Sequence, residues 1–116
     1  MEYIQINPIK DSTYQSITLT LSVKGATKRV NLELKYEDKT DRWYMSLFDI
    51  QTGETYFLHI PLLSSPDDSF NDLFLPFRYK NIGFLVCFPK SSNVETENPS
   101  KDNLNDFYII WGDEFD

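Results

Sequence analysis

Residues 41–63 read DRWYMSLFDIQTGETYFLHIPLL. Trp43, Met45 and Leu47 alternate with Tyr44 and Ser46, and a two-residue period is the mark of a strand with one buried face. Gln51-Thr52-Gly53-Glu54 then interrupts the pattern with turn-forming residues and a glycine. Tyr56, Leu58, Ile60 and Leu62 resume the alternation on the way back. The stretch is therefore a β-hairpin, with its aromatic residues expected in core and cross-strand packing. Phe48-Asp49-Ile50 blurs the alternation, as a bulge or a strand buried on both faces would. Pro61 removes a backbone donor and marks an edge or a break near the strand end.

The same period extends upstream. Ile17, Leu19, Leu21 and Val23 alternate with Thr18, Thr20 and Ser22, and Val30, Leu32, Leu34 and Tyr36 alternate with Asn31, Glu33 and Lys35. Lys24-Gly25-Ala26-Thr27 is a short turn between them, with a glycine free to take positive φ. A charged connection from Glu37 to Asp41 leads into the hairpin. Downstream, Ser64 to Ser69 is a loop, and residues 70–79 form an aromatic, irregular segment around Pro76. A helical turn capped by Ser69 fits Phe70 to Phe74. Ile82 to Phe88 is a strand apolar on both sides, and Asp106 to Gly112 is the closing strand. The Ser-, Asn-, Glu- and Pro-rich stretch near residues 90–104 reads as a long mobile loop.

No sustained helical period, repeat or linker interrupts this order. The expectation is one all-β domain spanning residues 1–116, a small antiparallel β-barrel or sandwich of about seven strands. Its core is expected to contain Leu32, Leu34, Trp43, Leu47, Leu58, Ile60 and Val86.

Composition narrows the function. An apolar fraction of 41% with 16% aromatics belongs to a folded globular chain. Eleven basic residues against eighteen acidic ones give a formal charge of −7. That field repels phosphate, and the basic residues are interleaved with acids, so specific nucleic-acid binding is not expected. Cys87 is the single cysteine, which precludes an intramolecular disulfide. The start, MEYIQINPIKD, lacks the basic and apolar regions of a signal peptide, and no run approaches a bilayer span. A protein folded in a reducing cytoplasm, without membrane association, is the expectation.

Candidates for chemistry are few. His59 is the single histidine and lies mid-strand, so a zinc site would need distant carboxylates. Cys87 sits in an apolar strand with no local cation, which describes an inert thiol. Asp67, Asp68, Asn71 and Asp72 are the one dense oxygen cluster. They lack the glycine and terminal glutamate of a calcium loop, so a solvated acidic loop is the simpler reading. Glu33 and Glu37 face water on a strand, with nothing to make them an acid–base pair. No cofactor, no metal and no catalytic residue is expected, and the chain is not read as an enzyme.

The order of elements resembles the family of the cyanophage baseplate plug protein, small all-β proteins of contractile-tailed phages. The likeness runs from Tyr3 to about Trp111. It is carried by the strand Trp43 to Ile50, by Gly53 in the turn, and by the strand end Pro61-Leu62-Leu63. Asp72-Leu73-Phe74-Leu75-Pro76-Phe77-Arg78-Tyr79, the glycine-led strand Gly83 to Val86 and the closing Asp106 to Ile109 complete it. Against the family pattern, Ser46 replaces a common aspartate, a second glycine beside Gly83 is missing, and Ser64 to Ser69 replaces a glycine.

The resemblance implies a structural part of a phage or prophage-derived contractile tail, in or near the baseplate hub and assembled in the host cytoplasm. Its implied partners are other tail or baseplate proteins, such as hub, tube or spike. A small β-barrel that binds a ligand, or an adaptor module, is the alternative. The aromatic segment around Pro76 either closes one end of the core or presents an interface. Phe74, Phe77 and Arg78 are the candidate interface residues, since aromatic and arginine anchors suit such contacts.

Overall fold

The computed structural model describes residues 3–8, 12–65, 71–90, 98–101 and 103–113. Among these, seven strands form two antiparallel sheets. The strands are β1 (Tyr3–Ile6), β2 (Tyr14–Val23), β3 (Ala26–Glu37), β4 (Arg42–Asp49), β5 (Thr55–Pro61), β6 (Phe84–Pro89) and β7 (Phe107–Gly112). Strands β2-β3-β4-β5 make a meander in that order, and β1-β7-β6 make the second sheet. The sheets are open, so the fold is a sandwich and not a closed barrel. Six of the strands lie where the sequence pattern put them. The seventh, β1, is only four residues long, too short to announce itself by pattern.

Lys24 and Gly25 both take positive φ, 52° and 80°, and join β2 to β3 as a two-residue turn. Such turns carry the twist that the flanking strands need. The β2–β3 register then runs unbroken from Val23↔Ala26 to Tyr14↔Lys35. Strand β4 is regular, alternating half-buried and buried side chains throughout. The irregularity expected at Phe48-Asp49-Ile50 sits instead across the ladder, in β5. There Met45 pairs with Ile60, Leu47 with Phe57, and Phe48 with Thr55, so β5 carries an extra residue at each step. His59 absorbs one of them at φ 55°, and its N–H is accepted by Ser46 Oγ at 3.0 Å.

The two bulges change which β5 side chains point inward. Tyr56 and Phe57 are both buried. Leu58, expected in the core, is 63% exposed. A strict two-residue period misassigns it because each extra residue reverses the facing of everything after it. Leu32, Leu34, Trp43 and Leu47 are core residues as expected, Ile60 packs half-buried against them, and Val86 is buried.

One apolar cluster joins the two sheets. Leu21, Val30, Leu32, Leu34, Met45 and Leu47 face Leu85, Cys87, Phe107, Ile109 and Trp111. Trp43 is 1% exposed, and its indole N–H reaches the Ser100 carbonyl at 2.8 Å. That bond ties the described end of the 90–104 segment to the core. Asn98 Oδ1 adds a second tie by accepting the Ser64 N–H at 2.9 Å. Residues 91–97 and 102 of that segment lie outside the described residues.

Between β5 and β6, Leu75–Lys80 forms a 3₁₀ helix with Pro76 in its first turn, where a missing N–H costs least. The helical turn expected at Phe70 to Phe74 is displaced to this position. Ser69 and Phe70 lie outside the described residues, and 71–74 are not helical. The helix ends at Asn81, and Gly83 then takes φ 78° to enter β6. A side chain at Gly83 would place its Cβ 2.2 Å from the Gly112 carbonyl oxygen and 2.7 Å from the Trp111 indole nitrogen. That indole donates to the Ile82 carbonyl at 2.6 Å.

Two substitutions test this packing. Trp43→Ala is expected to cost about 3–5 kcal/mol, read as a lowered midpoint in chemical denaturation. Gly83→Ala is expected to cost more than the ~1–2 kcal/mol of an unfavourable φ, because the backbone at Gly112 cannot move aside without opening β7.

Candidate functional site

The expected interface lies in the crossover from β5 to β6, and one carboxylate organises it. Asp72 is buried, and its Oδ1 accepts the N–H groups of Phe74 at 2.8 Å and Leu85 at 3.1 Å. Its Oδ2 accepts Arg78 Nε at 3.0 Å. The carboxylate thus joins the entry to the 3₁₀ helix, the helix itself and strand β6. A buried charge is tolerable here because three donors replace its lost water. The Leu73 N–H also donates to the Leu85 carbonyl, at 2.8 Å.

This bonding places the three expected interface residues differently from one another. Phe74 is 2% exposed and belongs to the core. The expectation that it stands at the surface is corrected: the Asp72 turn directs its side chain inward, against Phe57 at 5.4 Å between ring centroids. Phe77 is half-buried and rests on the same Phe57 ring at 4.9 Å. Arg78 has about half of its side chain in solvent and one N–H on Asp72. The exposed apolar residues of this helix are ones that sequence reasoning did not single out, Leu75 at 58% and Tyr79 at 75%. A 3₁₀ helix has three residues per turn, so Phe74 and Phe77 share the inner side while Leu75 and Tyr79 fall outside.

Beside Arg78 lies a cleft of about 280 Å³ lined by Val23, Lys24, Arg78, Asn81, Gly83, Phe84 and Asp113. Its lining offers charge, an amide and an aromatic ring, and no hydroxyl, thiol or imidazole. Lys28 donates to the Lys80 carbonyl nearby. Lys80 in turn pairs with Glu54 at 2.9 Å, which raises the ammonium pKa.

The residues considered for chemistry do not converge. His59 sits on the exterior of the four-stranded sheet, stacked on Tyr44 at 4.1 Å and 3.4 Å from Glu37. Cys87 faces the core from the other sheet, and burial pushes its thiol up to about 12. Asp72 is committed to the crossover, Asn71 is exposed, and Asp67 and Asp68 lie outside the described residues. Among the described residues, no three His, Cys, Asp or Glu side chains gather as a metal site would require. Nor is any helix among them long and apolar enough to cross a membrane.

Asp49 is the other organising carboxylate. Its Oδ1 accepts the N–H groups of Gln51 at 2.8 Å and Thr52 at 3.0 Å, and its Oδ2 accepts the Tyr56 hydroxyl at 2.9 Å. It therefore fixes the β4–β5 turn and one bulged residue together. The Thr52 N–H is the main cause that lowers its pKa. Burial opposes this, and the Tyr56 hydroxyl and Gln51 N–H support it.

The fold and this geometry define a class: a small β-sandwich whose distinctive residues are spent on turns, crossover and packing. The comparison with known families is more specific. The family model described as "Cyanophage baseplate Pam3 plug gp18" matches residues 1–114. The chain belongs to that family, a baseplate plug family, which supports a structural role in a phage baseplate within the virion tail. A structural plug is not an enzyme class, and membership implies contact with other baseplate or tail proteins. No curated protein matches the chain.

The Asp49 linkage has a definite sign. A carboxyl with a depressed pKa stabilises the fold fully above its ordinary value of 3.8, and that contribution is lost as pH falls through the lower folded value. Urea midpoints of Asp49→Asn are expected to fall well below wild type at neutral pH. The gap is expected to narrow progressively below pH 3.8.

Proposed function

We propose that this chain is a plug-like structural component of a contractile tail, seated in or near the baseplate hub and assembled in the host cytoplasm. The observation that carries the reading is the family match over residues 1–114. Charge supports it: a protein of formal charge −7 beside a tail channel does not retain passing DNA, because like charges repel. Specific nucleic-acid binding is not part of the role.

The docking surface we propose is the outer side of the crossover helix, with Leu75, Arg78 and Tyr79 meeting a hub, tube or spike protein. Leu75 and Tyr79 are large, apolar and exposed, and Arg78 stands between them on a helix anchored by Asp72. Interfaces favour aromatic and arginine anchors held on a rigid support. Phe77 contributes at the rim, and Phe74 supports the helix from behind.

Incorporation into assembled tails tests this. Leu75→Ser with Tyr79→Ser is expected to leave the isolated protein's melting temperature close to wild type while abolishing its recovery with purified particles. Phe74→Ser is expected to lose about 3–5 kcal/mol of stability before any assembly effect can be read. Particles that retain the double variant at wild-type level would exclude this surface. Tails assembled to normal yield and infectivity without the protein would overturn the structural role itself.

A further inference from the structure

The sandwich has four edge strands, and three of them are protected against pairing. Strand β1 is only four residues long and is followed by Pro8. Strand β5 carries two bulges and Pro61. Strand β6 is covered along its edge: Ser65 and Leu73 donate to the carbonyls of Cys87 and Leu85, and Asp72 accepts the Leu85 N–H. These are the devices by which folded proteins keep an edge from templating another strand.

Strand β2 has none of them. It is ten residues long, Tyr14–Val23, with no charged residue, no proline and no break in its register against β3. Tyr36 donates to the Thr13 carbonyl, so by the alternation of an antiparallel ladder the odd-numbered residues bond to β3. The N–H and C=O groups of Tyr14, Ser16, Thr18, Thr20 and Ser22 therefore point away from the sheet. Ser12 Oγ donates to the Tyr14 carbonyl. Among the described residues, no backbone group pairs with the outward groups of Ser16, Thr18, Thr20 and Ser22. The inner face is also unfinished. Ile17 and Leu19 point into the sandwich yet stay only partly buried, whereas Leu21 and Val23 are fully covered.

We infer that a second copy of this chain pairs with β2, antiparallel and about a two-fold axis at Thr18, making one continuous sheet across two protomers. Strand β2 is self-complementary in that register. Thr18 faces Thr18 of the partner subunit, Ser16 faces Thr20 of the partner subunit, and Tyr14 faces Ser22 of the partner subunit. All outward backbone groups then find partners, about ten hydrogen bonds in all. Hydroxyl side chains meet across the seam on the outer face, a favourable cross-strand pairing. On the inner face, Ile17 comes beside Leu19 of the partner subunit, which completes the burial that one sheet leaves open. Charge selects the same place: in a chain of formal charge −7, β2 lets two copies approach with no like charges opposed. The inference does not depend on the baseplate role.

Sedimentation equilibrium from micromolar to millimolar protein, joined to residue-resolved amide exchange, tests it. Wild type is expected to pass from 13.7 kDa to twice that mass, with the amides of Ser16, Thr18 and Thr20 protected only where the dimer dominates. Thr18→Lys, which sets two ammonium groups face to face on an exposed position, is expected to remain monomeric with an unchanged circular dichroism spectrum. If that variant misfolds, the wild-type exchange pattern alone decides. A monomer at all concentrations overturns the inference. So does a dimer whose Ser16, Thr18 and Thr20 amides exchange freely, since it would use another surface, and so does a folded Thr18→Lys variant that still dimerises.

Discussion

The crossover from one sheet to the other depends on one carboxylate. Leaving β5, the chain must cross from the four-stranded sheet to the three-stranded one, and it does so through a segment with no strand partner of its own. Asp72 supplies what a ladder would have supplied: it accepts the N–H of Phe74, the N–H of Leu85 and the guanidinium of Arg78. With those bonds made, Phe74 turns into the core, the 3₁₀ helix lies against Phe57, and the edge of β6 is closed. Taking away the acceptor would strand two buried backbone donors at once, a far larger cost than losing one surface ion pair.

Asp49 does the same for the hairpin. Its three donors hold a turn and a bulged strand in register, so the bulges displace side chains without loosening the ladder. The residues that carry the family likeness thus have structural work that can be named. Trp43 fills the core, Asp49 closes the turn, Asp72 and Arg78 build the crossover, and Gly83 admits the Trp111 indole. Ser46 accepts the N–H of bulged His59. A protein whose distinctive side chains are all committed in this way has its surface left for function, which suits a structural member of an assembly.

The two proposed surfaces differ in kind. The crossover helix offers side-chain anchors, Leu75 and Tyr79, on a backbone already satisfied. The β2 edge offers backbone groups without anchors. The first suits a dissimilar partner with a matching pocket. The second suits a strand of any sequence that brings no opposing charge, and a second β2 meets that condition.

Alternation of apolar and polar residues determined the four strands β2 to β5 and the β2–β3 turn, and continuous apolar runs marked β6 and β7, because side-chain facing in a strand is a local property with a fixed period. The same rule misplaced Leu58, because a bulge adds a residue without leaving a compositional mark. It also missed β1, which is too short to show a period. Phe74 and Leu75 are adjacent and both apolar, so nothing local says that one is core and the other surface. That difference comes from Asp72 bonding to Leu85, thirteen residues away. Edge status is likewise invisible in a segment. Sequence alone determined that β2 is a strand, but only the order of strands decided that it is an edge, with no backbone group among the described residues paired to the outward side of Ser16, Thr18, Thr20 and Ser22.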